Sequence, residues 1–113
     1  MRSKILALSK SGEFQSLLKK KKVSNKYVTI FFGKLINKSK NNLNISFVTK
    51  KKIGNAIKRN KIKRRLRNIV NDAVKKVSLN FNYSYLVIAK STMLNNEYTI
   101  IKETLFEDLE RIR

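Results

Sequence analysis

The sequence predicts an α/β (α+β) sandwich, in which helices pack on a mixed β-sheet of three or four strands. Two patterns support this fold class. Short runs rich in β-branched and aromatic residues alternate in polarity, which is typical of strands, while longer segments repeat apolar residues with helical spacing. At 113 residues and 42% hydrophobic content, the chain has the size of a single domain, residues 1–113. The predicted order is helix, two to three strands, long helix, strand, helix.

The first predicted element is a short helix over residues 12–20. Ser11 can cap its N-terminus, and the helix runs into the lysine-rich residues 19–22. Its apolar residues fall on one face at helical spacing. They are Phe14, Leu17 and Leu18.

Two strands follow this helix. Residues 27–32 have a high β-branched and aromatic content, with Tyr27, Thr29 and Phe31 on the more polar face. Residues 34–42 are polar and turn-like. Residues 43–48 then alternate between apolar and other side chains, which is the clearest strand pattern in the chain.

The second half of the chain predicts a long helix, a central strand and a last helix. Residues 55–77 carry an apolar stripe at helical spacing, and the stripe is strongest in its second half. Residues 83–89 are nearly all apolar, as expected for a strand covered on both faces. Asn95 or Asn96 can cap a last helix that ends near Ile112.

The charge of the chain is strongly unbalanced, with 27 basic and 7 acidic residues and a net charge of +20. The excess positive charges repel one another unless a polyanion neutralises them. A polyanionic partner is therefore the first hypothesis. Lysine alone can reflect a lysine-rich coding background or a solvated face. Arginine is more informative, because four of the seven arginines fall within residues 59–67, and the guanidinium group is suited to phosphates.

The missing residue types exclude most familiar active sites. The chain has no Cys and no His, which removes thiolate chemistry, the usual general base and the commonest metal ligand. Five of the seven acids lie in the last 17 residues. We therefore predict no catalytic residue and no certain metal ligand in this chain. The apolar run at residues 5–8 is too short for a secretory or membrane segment, which predicts a cytoplasmic protein without a membrane partner.

Residues 50–67 form the most basic segment, with ten Lys or Arg among eighteen residues and no acid. The segment follows a predicted strand, Gly54 permits a tight turn, and Asn55 can cap the long helix. The free N–H groups of a helix N-terminus make such a turn a ready anion site. Within the helix, Arg64 falls opposite the apolar stripe and Arg65 flanks it, so both are predicted to face solvent.

This segment also resembles a known family signature. The sequence Lys51-Lys52-Ile53-Gly54-Asn55-Ala56-Ile57-Lys58-Arg59-Asn60-Lys61-Ile62-Lys63-Arg64-Arg65-Leu66-Arg67 resembles the signature of the bacterial ribonuclease P protein component. The family usually has Arg-Asn-Arg where this chain has Arg59-Asn60-Lys61. Weaker similarity at residues 12–15, 85–90 and 97–109 extends the resemblance over most of the chain. It implies a left-handed βαβ crossover, against the general right-handed rule.

The resemblance implies an RNA-binding protein subunit of the ribonuclease P particle. Such a subunit binds the catalytic RNA and the 5′ leader of precursor tRNA, and it promotes endonucleolytic removal of the leader. The chemistry then belongs to the RNA and its Mg²⁺ ions, and the protein itself binds no cofactor and no small-molecule substrate. The main alternative is a ribosomal or other structural RNA-binding protein. A DNA-binding architectural protein and a self-sufficient nuclease using Glu13 and Asp72 are further alternatives.

The resemblance also implies two sets of site residues. The predicted RNA-binding residues are Lys51, Lys52, Asn55, Arg59, Asn60, Lys61, Lys63, Arg64 and Arg67. The predicted 5′-leader cleft residues are Phe14, Leu18, Phe31 and Lys50. Leu18 stands where the family has an aromatic residue. From their spacing alone, Phe14 and Phe31 could equally be core residues.

Overall fold

The computed structural model describes residues 4–6, 10–35, 42–76 and 79–112. The described elements, in chain order, are β1 (Lys4–Leu6), α1 (Lys10–Leu18), β2 (Lys21–Ser24), β3 (Val28–Gly33), β4 (Asn42–Val48), α2 (Ala56–Lys76), β5 (Ser84–Ala89) and α3 (Tyr98–Arg111). Two short 3-10 helices, Lys51–Ile53 and Ser91–Leu94, precede α2 and α3. None of the helices in these ranges is long and apolar enough to cross a membrane.

The strands form one mixed sheet in the order β1-β4-β5-β3-β2. The β1–β4 and β4–β5 pairs are parallel, whereas the β5–β3 and β3–β2 pairs are antiparallel. Because β4 and β5 are parallel neighbours, α2 forms the crossover of a βαβ unit. The left-handed sense of this crossover stays a prediction.

The predicted fold class and the order of the helices are confirmed, but the described residues form a sheet of five strands instead of three or four. The additional strands are β1 and β2, which are three and four residues long and lie at the two edges. The first helix, predicted over residues 12–20, ends two residues earlier at Leu18, and Lys21–Ser24 then form strand β2. Short, lysine-bearing edge strands owe their structure to pairing with a neighbour, and such pairing leaves little pattern in the sequence.

One face of the sheet carries the main hydrophobic core. The stripe of α2 is buried there through Ile62, Leu66, Ile69, Val70 and Ala73. The sheet contributes alternate residues, as the period of a strand requires. They are Val28, Ile30, Phe32, Leu43, Ile45, Tyr85, Val87 and Ala89. Ile101, Leu105 and Leu109 of α3 complete this core.

The opposite face of the sheet lies under α1 and has a smaller apolar cluster. Leu17 of α1 and Leu86 of β5 are its buried members, and half-buried apolar side chains surround them. Three polar side chains, Asn44, Ser46 and Ser84, are also buried in the neighbouring strands. The residues alternate in direction along β4 and β5, so these polar groups share the α1 side with Leu86. This face is therefore less apolar than the α2 side.

Three details differ from the sequence predictions. Helix α1 begins at Lys10, so Ser11 lies inside its first turn instead of capping it. Helix α3 starts after Glu97, and the Asn96 side chain instead donates a hydrogen bond to the Thr92 carbonyl at 2.7 Å. Tyr27 precedes β3 and packs in the main core, so it does not share the polar face of Thr29 and Phe31. Residues 36–41 of the predicted polar turn lie outside the described residues.

Candidate nucleic-acid interface

The basic segment begins with a 3-10 turn between β4 and α2. Gly54 follows this turn with φ 160° and ψ −170°, which is extended backbone. The predicted tight turn is present at Lys51–Ile53, and Gly54 closes it by donating its backbone N–H to the Lys51 carbonyl at 3.2 Å. A Cβ atom at Gly54 would lie 2.9 Å from Lys58 Cδ. The glycine thus makes room for the stem of Lys58.

Asn55 caps α2, as predicted. Its Oδ1 atom accepts a hydrogen bond from the Lys58 backbone N–H at 3.0 Å, and its carbonyl accepts one from Arg59 N–H at 3.0 Å. The first turn of α2 contains no acidic residue. The positive end of the helix dipole is therefore unopposed by a carboxylate in that turn. Backbone and side chains together make this end of α2 electropositive.

The nine predicted RNA-binding residues, here called the RNA set, lie on the 3-10 turn, at the cap and on the first three turns of α2. All are exposed except Arg59 and Lys63, which are half-buried. The ion pairs Asp72–Lys102 and Asp108–Arg111 lie elsewhere in the molecule. The exposed cations of the RNA set are thus directed to solvent, where a polyanion can reach them.

Arg59 occupies the border between the core and solvent. Its Nε atom is buried and has no hydrogen-bond acceptor among the described residues. An unsatisfied buried donor costs about 1–3 kcal/mol. The Arg59 side chain thus lies partly within the protein although its Nε gains no hydrogen bond there.

Arg65 behaves differently from its neighbours. The side chain is half-buried, and its Nη1 atom donates to the carbonyls of Met93 at 3.2 Å and Asn96 at 3.5 Å. The prediction that Arg65 faces solvent is therefore wrong. It ties α2 to the second 3-10 helix and the loop that follows it, so it acts as a structural residue.

A cavity of about 410 Å³ lies at the ends of β4 and β5. It is lined by Thr29, Lys50, Lys52, Ile53, Ile88, Ala89, Lys90 and Ser91. Lys50 belongs to the predicted leader cleft, and Lys52 belongs to the RNA set. The two predicted surfaces therefore share this cavity, which we call the proximal cavity.

A second cavity, of about 490 Å³, lies between α1, β4 and α2. Strand β1 pairs only with Asn42–Asn44, and this cavity adjoins the part of β4 beyond that pairing. It is lined by Phe14, Ile45, Ser46, Phe47, Lys63, Arg67 and Asn71. Phe14 of the predicted cleft thus lies beside Lys63 and Arg67 of the RNA set. We call this space the lateral cavity.

The remaining predicted cleft residues are Phe31 and Leu18. Phe31 is half-buried against the Leu17 and Leu86 cluster, on the face that also carries Thr29. The Lys22 ammonium lies 5.9 Å from the centroid of the Phe31 ring. Leu18 is 47% exposed near the end of α1 and lines neither the proximal nor the lateral cavity. Phe14 and Phe31 are only half-buried, so each packs on the α1-side cluster and keeps some exposed surface.

Thr29, Ile88 and Lys90 also line the proximal cavity, although their sequence positions did not mark them as site residues. Lys90 Nζ donates hydrogen bonds to Ser24 Oγ at 3.0 Å and to the Asn25 carbonyl at 2.5 Å. A signal was present for Lys90, because it directly follows a strand that runs parallel to β4. The carboxyl ends of parallel neighbours meet at one edge of a sheet, so Lys90 had to lie near Lys50.

Acidic residues form no candidate metal centre in the described ranges: no three of them come together in a way that could hold a metal ion. Asp72, one of the two acids available to a self-sufficient nuclease, instead pairs with Lys102 at 2.6 Å. The hydrogen bond from this ammonium holds the pKa of Asp72 below its ordinary value. Asp72 thus links α2 to α3.

The family model described as Ribonuclease P matches residues 3–113. The ribonuclease P protein component of Fusobacterium nucleatum is 34% identical over 110 residues, covering 93% of this chain and 91% of that protein. The corresponding protein of Mesoplasma florum is 32% identical over 92 residues, which are 80% of each chain.

Solved structures share the fold. The RNase P protein from Thermotoga maritima aligns with a TM-score of 0.75 at 24% identity, covering 89% of this chain and 92% of that chain. The Staphylococcus aureus RNase P protein aligns with a TM-score of 0.76 at 23% identity, covering 94% and 93%. With a family model spanning nearly the whole sequence, this chain belongs to the bacterial ribonuclease P protein component family.

Proposed function

We propose that this ribonuclease P protein holds the RNA subunit with the RNA set and guides the 5′ leader of precursor tRNA along the α1 face of the sheet. The observation that carries the proposal is that residues of both predicted surfaces line the same cavities. Lys50 and Lys52 share the proximal cavity, and Phe14 shares the lateral cavity with Lys63 and Arg67. One continuous surface can then contact both RNAs.

The RNA set supplies the sequence-independent part of the binding. Its cations are mostly exposed, and the N-terminus of α2 adds a positive dipole without an opposing acid. Phosphates neutralised here release counterions, so the affinity should depend strongly on salt. Lys61 keeps the charge of the family's usual arginine, but it provides a point charge instead of a planar fork.

The α1 face is suited to a single strand of variable sequence. Phe31 and Phe14 keep part of their ring surface exposed, and Ile88 and Thr29 extend the same floor. Bases can stack on aromatic rings without base-specific hydrogen bonds, while lysines such as Lys50 contact phosphates. This arrangement accepts the leaders of many different tRNA precursors.

Catalysis in this proposal belongs to the RNA subunit and its Mg²⁺ ions, in the cytoplasm. The chain lacks His and Cys, and its acidic residues are concentrated near the C-terminus. Its own contribution is to orient the leader and to neutralise phosphates near the reacting centre. Binding energy used for such positioning lowers the barrier of a reaction carried by another component.

Reconstitution tests the proposal. The chain is added to a bacterial ribonuclease P RNA at low Mg²⁺, and 5′ cleavage of precursor tRNA is measured. We expect clear stimulation by the wild type and weaker stimulation by Arg59→Ala/Arg64→Ala. The control is Lys75→Ala/Lys76→Ala, which removes the same charge from the last turn of α2 and should retain stimulation. Absence of stimulation by the wild type would contradict the proposal and favour a structural RNA-binding role.

A further inference from the structure

A further cavity lies at the end of the sheet opposite the proximal cavity. In the β3–β5 ladder, Val28 pairs with Ala89 at the proximal end, and Gly33 pairs with Ser84 at the far end. The five steps between these pairs span about 17 Å. The cavity at the far end has a volume of about 480 Å³. Its lining residues, which we call the distal patch, are Lys19, Lys20, Lys21, Phe32, Gly33 and Tyr83.

The aromatic rings of the distal patch belong to the α2 side of the sheet. Phe32 pairs with Tyr85 in the β3–β5 ladder, and both are buried in the main core. Tyr83 packs against the same core but stays half-buried. Lys21 pairs with Phe32 in the β2–β3 ladder, and directly opposed residues share a face. The two rings and Lys21 are therefore separate from the α1 face, where the proposed leader path lies.

The distal patch is also separate from the RNA set. Helix α2 carries the chain from the carboxyl end of β4 back to the amino end of β5, so its last turn lies toward the distal end of the sheet. The 21 residues of this helix span about 31 Å. The RNA set lies on the turn before α2, at its cap and on its first three turns. A ligand on the RNA set therefore leaves the distal patch accessible.

Neighbouring rings and a hydrogen-bonded turn hold the Tyr83 ring in place. Its centroid lies 5.5 Å from that of Phe32 and 6.5 Å from that of Tyr85. The Tyr83 backbone N–H donates to the Asn80 carbonyl at 3.2 Å, and the same carbonyl accepts a hydrogen bond from the Tyr85 hydroxyl at 2.8 Å. The ring is thus oriented before a ligand arrives, which lowers the entropic cost of stacking a base on it.

The lysines of the distal patch are exposed side chains on an ordered backbone. The N–H groups of Lys19 and Lys20 donate to the carbonyls of Ser16 at 3.3 Å and Leu17 at 3.0 Å. A Cβ atom at Gly33 would overlap the Cδ atom of Lys20, so the stem of this lysine lies over the glycine. None of the six residues of the distal patch is acidic. Three ammonium groups are therefore available to phosphate oxygens beside a partly exposed ring.

We propose that the distal patch binds an unpaired RNA nucleotide, with its base against Tyr83 and its phosphates on the three lysines. Lysines that contact phosphates beside a ring that stacks on a base are the combination that binds single-stranded RNA. The inference goes beyond the proposed function, in which the RNA set holds the catalytic RNA. The nucleotide can come from an unpaired stretch of that RNA or from a separate RNA strand, and the two arms of the test distinguish these sources.

Two pairs of variants separate the ring from the charge. Tyr83→Leu removes the stacking ring, whereas Tyr83→Phe keeps it. Lys21→Ala removes one cation from the distal patch, whereas Lys76→Ala removes the same charge from the last turn of α2, outside the distal patch. Urea unfolding establishes that each variant is folded under the binding conditions.

The first arm measures the affinity of each variant for a bacterial ribonuclease P RNA. The second arm measures binding of a 5′-phosphorylated oligouridylate of about four nucleotides to the assembled particle. A loss of affinity in the first arm identifies the catalytic RNA as the source of the nucleotide. A loss confined to the second arm identifies a separate strand.

The two kinds of contact should differ in their response to salt. Tyr83→Leu should weaken binding by about fivefold or more, because a stacked base is lost, and leave the salt dependence unchanged. Lys21→Ala should weaken binding and reduce the slope of log affinity against log salt by about 0.7, the value for one phosphate of a single strand. Tyr83→Phe and Lys76→Ala should bind like the wild type.

Three results would overturn the inference. Tyr83→Leu and Lys21→Ala could bind as tightly as the wild type in both arms. Lys21→Ala could weaken binding while Tyr83→Leu did not, which would indicate an acidic partner without a stacking base. Lys76→Ala could reproduce the loss, which would reduce the effect to net charge. If the wild type failed to bind the catalytic RNA, the proposed function would fail instead, and the second arm would still test the distal patch on the chain alone.

Discussion

The two faces of the sheet differ in how completely they are covered. On the α2 and α3 side, buried apolar residues of the strands meet buried apolar stripes of two helices. On the α1 side, Leu17 and Leu86 are the buried centre of a small cluster, beside buried polar groups such as Ser84. The first face is a closed core, whereas the second keeps half-buried aromatic rings and bordering lysines available.

The difference separates residues that stabilise the fold from residues that bind RNA, and the same separation is found along α2. Its stripe residues from Ile62 to Ala73 secure the helix on the closed face. Its first turns instead carry the exposed cations of the RNA set. A rigid core on one side of the sheet can hold a binding surface in fixed geometry on the other side.

The largest effect is expected from Leu66→Ala, which removes a buried side chain from the core on the α2 side of the sheet. Leu66 is fully buried between α2 and the sheet, and deletion of such a side chain costs about 2–5 kcal/mol. Urea unfolding should show this loss of stability. The folded variant should keep the RNA affinity of the wild type, and a loss of stability below about 1 kcal/mol would contradict the account of this face.

Phe31→Ala removes an aromatic ring from the α1 side of the sheet. Loss of a stacked base should weaken the affinity for leader-bearing precursor tRNA by about 1–3 kcal/mol. The half-buried position predicts a smaller loss of stability than that of Leu66→Ala. Binding of precursor tRNA with and without a leader measures the effect. If the stable variant bound leader-bearing precursor tRNA as tightly as the wild type, Phe31 would have a purely structural role.

Arg65→Met and Arg64→Met make a matched pair on neighbouring positions. Arg65 donates to the carbonyls of Met93 and Asn96, whereas Arg64 is exposed. We expect Arg65→Met to lower the free energy of unfolding by about 1 kcal/mol. Arg64→Met should change stability by less than about 0.5 kcal/mol but weaken RNA binding. Equal stability of the two variants in urea unfolding would contradict the structural role of Arg65.

The smallest effect concerns the Asp72–Lys102 pair between α2 and α3. Its hydrogen bond lowers the pKa of Asp72 below 3.8 and raises that of Lys102 above 10.5. The stabilisation is therefore present between these values, and it is lost as the pH falls through the lowered pKa of Asp72. Melting temperatures across pH should show a small deficit of Asp72→Asn at neutral pH that disappears in acid. A deficit that persisted at the lowest pH would contradict this origin.

Patterns that depend on periodicity or local hydrogen bonding could be predicted from the sequence. The stripe of α2 and the cap at Asn55 are examples, since each is decided within a few neighbouring residues. Strand β2 could not be predicted, because its residues become a strand only by pairing with β3. The same holds for Arg65, whose acceptors at Met93 and Asn96 come from a distant part of the chain.

The composition of the two cavities also depended on the tertiary structure. The sequence and the family resemblance divided the candidate residues into two surfaces. The packing of α1 and α2 on the sheet instead brings Phe14 into one cavity with Lys63 and Arg67. Contacts between elements that are far apart in the chain leave no periodic signal, so sequence spacing alone did not indicate this meeting.

The central claim is that the first turns of α2 bind RNA through its phosphates. The most direct measurement is the affinity for a bacterial ribonuclease P RNA as a function of salt, for the wild type and for Arg59→Ala/Arg64→Ala. Loss of two phosphate contacts should weaken binding and reduce the slope of log affinity against log salt by about 1.4–1.8. An unchanged affinity with an unchanged slope would contradict the claim.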